Sequence, residues 1–195
     1  MPDFAEKPAN EIGRRLEIRG THAWLVLVRP AEAHEEALED LRTELSVMLE
    51  RPVRIVDAGR VSITELRQDI RTPPDDIVLL TGLDGFDEAS WAALDLNRSG
   101  LERPGAIIMW LSSSAVLTLS RHASSVRSFV GGSFFALGPQ GGIMSGEERD
   151  RRLNELAEHF QLSSEHVLGM AQAGQLPPDP LFVEWLVLLG RGDLV

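Results

Sequence analysis

Cysteine is absent from this chain, and lysine occurs once, as Lys7, among 195 residues. The first absence excludes disulfide frameworks, thiolate metal sites and cysteine nucleophiles together, and it suits a reducing, cytoplasmic compartment. The second leaves no lysine outside the N-terminal segment to meet a distal phosphate. No apolar run approaches the ~20 residues that a membrane helix requires, so no membrane partner is expected. Residues 1–20 are polar, carry Pro2, Pro8 and Gly13, and lack the apolar stretch of a secretory signal. They read as a mobile arm.

Basic charge is also scarce. The formal net charge is −11, and two stretches account for it. Residues 31–50 hold seven acids against one arginine, a net of −6, and residues 145–195 hold nine acids against four arginines, a net of −5. A general nucleic-acid binder needs clustered basic surface, and this balance argues against one. The acids read instead as solvated helix faces that keep the protein soluble.

Four short apolar runs stand out: Ala23 to Val28, Val53 to Val56, Ile77 to Leu80 and Ala106 to Leu111. Most are continuous rather than alternating, as strands are in a parallel sheet covered on both faces. Between the first two, Ala37, Leu38, Leu41, Leu45 and Met48 recur at helical spacing with acids on the other face, and Pro52 ends the pattern. Shorter helices fit Ile63 to Ile70, the region of Trp91 and Leu94, and Ser112 to Leu119. This alternation predicts right-handed crossovers and a three-layer α/β sandwich over residues 21–138. Ser128 to Leu137 reads as a fifth strand kinked at Gly131-Gly132.

The glycine-rich joint from Gly138 to Gly142 leads into a helical segment, residues 145–195. Ser145 and Glu148 have capping-box spacing, Ser163 caps a second helix closed by Gly174, and Asp179-Pro180 starts a third that Gly190 ends. Three short helices bury little alone. They are expected to dock on the sheet or to pack as a small bundle around Phe160, Phe182 and Trp185, each contributing roughly 1.5–3 kcal/mol or somewhat more.

Ligands of open α/β sheets sit beyond the carboxyl ends of the strands. The loop after the first strand, Pro30 to His34, has neither the glycines nor the lysine of a phosphate loop, and it offers Glu32 where an anion would settle. Arg29 beside it, Asp84 after the third strand and Ser112 after the fourth are the polar groups an unconventional nucleotide site would use. Each also has a structural reading: a solvent-facing edge arginine, a turn acid and a helix cap. His22, His34, His122, His159 and His166 are scattered without ligand spacing, so no metal is expected. Ser120, His122 and Asp84 lack the nucleophile elbow of a hydrolase, and no catalytic residue is assigned. Anchors for a protein partner are usually aromatics and arginines, which points to Trp91, Trp110, Arg121, Arg127 and Phe129 and away from the acidic helix.

The stretch from Ile77 to Leu137 is similar to the core of bacterial signal-transduction ATPases of the STAND class, multidomain proteins that often carry tetratricopeptide repeats. Leu94-Asp95-Leu96-Asn97-Arg98 looks like their recurring Leu-Asn-x-x-Arg segment, and Ala106 to Leu111, ending in Trp110-Leu111, looks like the strand that follows. Where those relatives carry Trp-Ser-Trp-Arg, this chain keeps Ser128 and the aromatic Phe129. The tail from Leu162 through Pro178, with Glu184 to Leu194, resembles their following helical segment. The resemblance covers a little over half of the chain and implies a P-loop NTPase-like fold and a role in signalling or defence assemblies. It transfers no catalytic residue, because the phosphate-loop positions do not match. In those relatives the tail leads into further domains, so a stand-alone adaptor and a piece of a longer protein both remain open.

The sequence therefore predicts a non-enzymatic adaptor that binds a protein partner without a cofactor, with homo-oligomerisation left open. The alternative is a nucleotide-binding switch or NTPase-like enzyme that uses an unconventional site at the strand-end crevice near Arg29, Asp84 and Ser112.

Overall fold

A computed structural model describes Ile12, Leu16 and residues 23–29, 35–72, 76–138 and 144–195. Five strands, β1 (Ala23–Arg29), β2 (Val53–Asp57), β3 (Ile77–Thr81), β4 (Ala106–Ser112) and β5 (Phe134–Ala136), form one sheet in the order β2-β3-β4-β1-β5. Every pairing is parallel. Helix α1 (Glu35–Leu49) joins β1 to β2, α2 (Ile63–Arg71) joins β2 to β3, and α3 (Glu88–Leu96) joins β3 to β4. Two helices, α4 (Ser113–His122) and α5 (Ser124–Val130), precede β5, and α6 (Gly146–Phe160), α7 (Ser164–Gln172) and α8 (Pro180–Leu188) follow it.

Pleating divides each apolar strand between two cores. Leu25 and Leu27 of β1 and Ile108 and Trp110 of β4 face α1, while Val26 and Val28 and Met109 and Leu111 face α2 to α5. Only a strand buried on both faces needs such a continuous apolar run. The result is the expected three-layer α/β sandwich. Ile12 and Leu16, within the segment expected to be a mobile arm, belong to the α1-side core, and Ile12 is fully buried.

The fifth strand is shorter than the sequence suggested. Residues 128–130 end α5 instead, because Val126 and Val130, four apart, bury one helical stripe against the sheet. Gly131 then takes φ 58°, a left-handed conformation that stops the helix, and β5 starts three residues on.

The C-terminal helices do both things open to them. Val183 and Val187 of α8 enter the core beneath α4, while Phe182, Trp185 and Leu186 of the same helix pack with Leu156 of α6 and Val167 of α7. Phe160 stacks on Phe182 at 4.5 Å between ring centres. The Ser145–Glu148 capping box, the Ser163 cap and the Asp179 cap before Pro180 are all formed.

At the amino ends of β3 and β4 lies a buried ion cluster. Asp76, just before β3, takes a guanidinium from each side: Arg54 of β2 through Nε at 2.8 Å, and Arg103, just before β4, through Nη2. Both arginines also reach the last turn of α2, where Arg54 donates to the Asp69 carbonyl and Arg103 to the Ile70 carbonyl, each at 2.6 Å. Helix C-terminal carbonyls have no partner within the helix, so the two cations satisfy them while neutralising Asp76.

Candidate functional site

The chain leaves β1 for the β2 edge on one face of the sheet and returns along the other face through β3 and β4. Connections after the adjacent strands β1 and β4 therefore diverge to opposite faces, and a crevice opens between the carboxyl ends of those two strands. Arg29 ends β1 and is in register with Ser112 at the end of β4. Beyond β3, Gly82 adopts φ 76° and turns the chain into the single turn Leu83–Gly85 that carries Asp84. A side chain at Gly82 would collide with the Asp57 carboxylate and the Gly59 amide, so only glycine permits this close approach.

Asp84 closes the crevice from the β3 side. Its Oδ1 accepts the Ser112 backbone N–H at 2.9 Å, and its Oδ2 lies 3.3 Å from Arg29 Nη2. The Ser112 hydroxyl accepts the Ala115 N–H as the cap of α4. Arg29, Asp84 and Ser112, far apart in sequence, thus converge as the alternative reading requires. Residues 30–34, with Glu32, lie outside the described residues.

Helices α6 and α8 form the other wall. Between them and the strand ends is a cavity of about 380 Å³ whose polar lining includes Arg29, Ser113, Arg151, Arg152 and Glu184. Arg152 is clamped by both Glu184 oxygens, at 2.6 and 3.0 Å, and by Glu155 at 3.0 Å. Glu184 chiefly drives its pKa upward, against the opposing effect of burial, and the guanidinium stays charged at every accessible pH. Glu148, also in the lining, is held below the usual carboxylate range by the Ser145 N–H and hydroxyl. Arg29 and Arg152 are each matched by a carboxylate of the chain itself, so the crevice carries little uncompensated positive charge for an incoming anion.

Among the described residues that line this crevice there is no histidine or cysteine. His122, among the described residues, lies at the end of α4, 3.5 Å from Glu88. Among the described residues, no group of three or more His, Cys, Asp or Glu side chains is placed to hold a metal, and no helix is long and apolar enough to cross a membrane.

The five expected anchors do not form one surface. Trp91 is fully buried on the α3 side, edge-on to Phe86, and Trp110 is buried on the α1 side. Both are large apolar side chains on inward stripes, and the two cores claim them. Arg127 donates to the Asp193 carbonyl at 2.8 Å and holds the C-terminal turn. Arg121 and Phe129 remain exposed, and Phe129 touches Trp24 and lies 5.8 Å beneath the Arg98 guanidinium. Sequence reasoning overlooked Arg98 in this role, and it overlooked Leu96, an apolar side chain 80% exposed two residues beyond buried Leu94 and so on the other face of α3.

No protein-family model and no curated protein matches the chain. What the fold defines is a class, the open, doubly wound parallel α/β sandwich with a helical segment against its strand ends.

Proposed function

We propose that this chain is a non-hydrolysing interaction or regulatory domain, an adaptor that binds another protein from a cytoplasmic location. One observation carries the reading. At the switch point, where a doubly wound sheet receives its ligand, the Arg29–Asp84 pair and the Ser112 N–H bonded to Asp84 already satisfy one another. An anionic ligand would have to displace Asp84, leaving a carboxylate beside its own negative charge. The similarity of Ile77 to Leu137 to signalling ATPases of the STAND class supports a place in a bacterial signalling or defence assembly. The test is calorimetry and thermal shift with Mg·ATP and Mg·GTP. Neither nucleotide is expected to bind, and micromolar affinity for either would overturn the reading.

A second reading has an observation of its own. Arg29 and Ser112, both partnered by Asp84, border a cavity of about 380 Å³ at the N-terminus of α4, a setting that favours anions. A nucleotide-dependent switch would exchange the Arg29–Asp84 pair for a phosphate, and the same calorimetry decides between the two.

A further inference from the structure

A second cavity, of about 400 Å³, lies at the carboxyl ends of β2 and β3, and among the described residues none lines both it and the Arg29–Asp84 crevice. Its volume is within the range of small-molecule sites, roughly 300–1,000 Å³. The turn Ala58–Arg60 after β2 and the turn Leu83–Gly85 after β3 bring backbone to its walls, and α2 and α3 flank it. Val61, Ile63 and Phe86 pack against the core yet stay only partly buried, and all three line this one space. Trp91 holds Phe86 edge-on at 5.4 Å between ring centres, which fixes an aromatic ring in the wall.

Gly85, also in the lining, has no structural reason to be glycine. Its φ is not left-handed, unlike that of Gly82, and a β-carbon added there would meet no atom within 4 Å. The missing side chain leaves that wall open. The lining also selects by charge. One quarter of the chain's residues are charged, 25%, yet none of the described lining residues is. Helix N-termini attract anions, and both α2 and α3 begin here, but each start is already matched by an acid of its own. Glu65 accepts the Ser62 N–H and hydroxyl, and Asp87 accepts the Ser90 N–H. The Ser62 N–H foremost for Glu65, and the Ser90 hydroxyl foremost for Asp87, hold these carboxyls below their ordinary range, so they stay ionised and repel an anion. A cation meets no carboxylate in the lining to replace its lost hydration.

We propose that this cavity binds a small uncharged molecule built around an aromatic ring. Val61, Ile63 and Leu66 cover its apolar surface, and Phe86 meets its ring in a stacked or edge-on contact. The site adds a small-molecule ligand to the interaction domain and does not depend on the reading of the crevice. On the turn after β3, Asp84 serves Arg29 and Ser112, whereas Gly82 and Gly85 serve the cavity. Nucleotide binding at the crevice would therefore leave the proposal standing.

The test uses the full chain and two fluorescent dyes, uncharged N-phenylnaphthylamine and its anionic analogue anilinonaphthalene sulfonate, which share a ring system and differ by the sulfonate. The neutral dye is expected to bind one molecule per chain with micromolar affinity, and the sulfonate at least about tenfold more weakly. Gly85→Leu fills the open wall, and Ile63→Asp puts a charge into the lining at the first position of α2, where an acid suits the helix. Each should weaken the neutral dye at least about tenfold. Leu96→Ser removes an exposed apolar side chain outside the cavity and should leave binding unchanged, and circular dichroism verifies that all three variants fold. In the wild type the neutral dye should shift the backbone amide resonances of Gly59, Gly82 and Gly85, a readout that needs no variant. Failure of the neutral dye to bind up to its solubility limit overturns the proposal. So do equal affinities for the two dyes, unchanged binding in either folded cavity variant, or resonance shifts confined to other parts of the chain.

Discussion

Arg29 and Asp84 meet at 3.3 Å across the end of β4, the strand that separates β1 from β3. The pair spans three strands and holds the Ser112 N–H beneath it. Asp84→Ala removes the charge and the acceptor together, and it is expected to cost about 1–2 kcal/mol in urea unfolding, at the low end for charge-assisted hydrogen bonds because both side chains reach solvent. Asp84→Asn retains an oxygen for Ser112 and should cost under about 1 kcal/mol. Equal losses in the two variants would assign the stabilisation to the charge.

Asp76 is the larger liability. It is buried between Arg54 and Arg103, and Arg103 is itself buried. Asp76→Ala leaves a guanidinium in the interior without its counter-ion, for which a loss of about 3–5 kcal/mol is expected. A denaturation midpoint close to that of the wild type would show that water or the α2 carbonyls compensate.

Trp185 is fully buried among Phe160, Phe182 and Leu186, and its Nε1 donates to Ser164 Oγ at 3.1 Å. Trp185→Ala should cost roughly 3–5 kcal/mol, the range for a truncated core aromatic. Trp185→Phe keeps the near-parallel stack on Phe182 but loses the hydrogen bond, and the part of its cost due to that bond should be about 1 kcal/mol. A change under about 0.5 kcal/mol in the alanine variant would contradict the observed docking of α8.

Acid should weaken both capping boxes. The N–H groups of Ser62 and Ser145, followed by their hydroxyls, hold Glu65 and Glu148 below the ordinary carboxylate value. A depressed folded pKa contributes stability that is complete above the unfolded pKa, about 4.3 for glutamate, and is lost as pH falls through the folded value. The thermal midpoint is therefore expected to be insensitive to these groups above about pH 5 and to drop below about pH 4.3. Glu65→Gln and Glu148→Gln, measured in parallel, should flatten part of that drop. An acid limb identical to that of the wild type would show that other carboxylates control it.

Gly82→Ala should destabilise by at least about 1 kcal/mol, because φ 76° is left-handed and the added carbon has no room beside Asp57 and Gly59. Gly174, also at positive φ but open to solvent, should lose less on the same change in the same assay.

Much of the fold was legible along the chain. The apolar runs around Leu25, Leu79 and Ile108 are longer and less alternating than a one-sided sheet would need, and they became the buried parallel strands β1, β3 and β4. Ser145 with Glu148, and Asp179 with Pro180, were readable as helix starts because capping acts over two or three residues. The fifth strand was misjudged over residues 128–130, where a short apolar segment suits a helix or a strand equally and packing against the sheet decided.

Local signals also located the strand-end residues Arg29, Asp84 and Ser112, since position in a βα unit follows from the order of elements. Whether they touch did not follow. Strand order brought β1 beside β4, a backbone turn at Gly82 aimed Asp84 across both, and an ion pair formed where sequence patterns allowed an open crevice. The same limit explains Trp91 and Trp110, whose residue type suits a core and an interface equally, and the Asp76 cluster, whose members are 22 and 27 residues from the acid they share. Periodicity, capping and turn chemistry act between near neighbours, so the linear chain specifies its elements. Ion pairs, burial and exposed patches are relations between distant residues, and they exist only once the sheet has chosen its order.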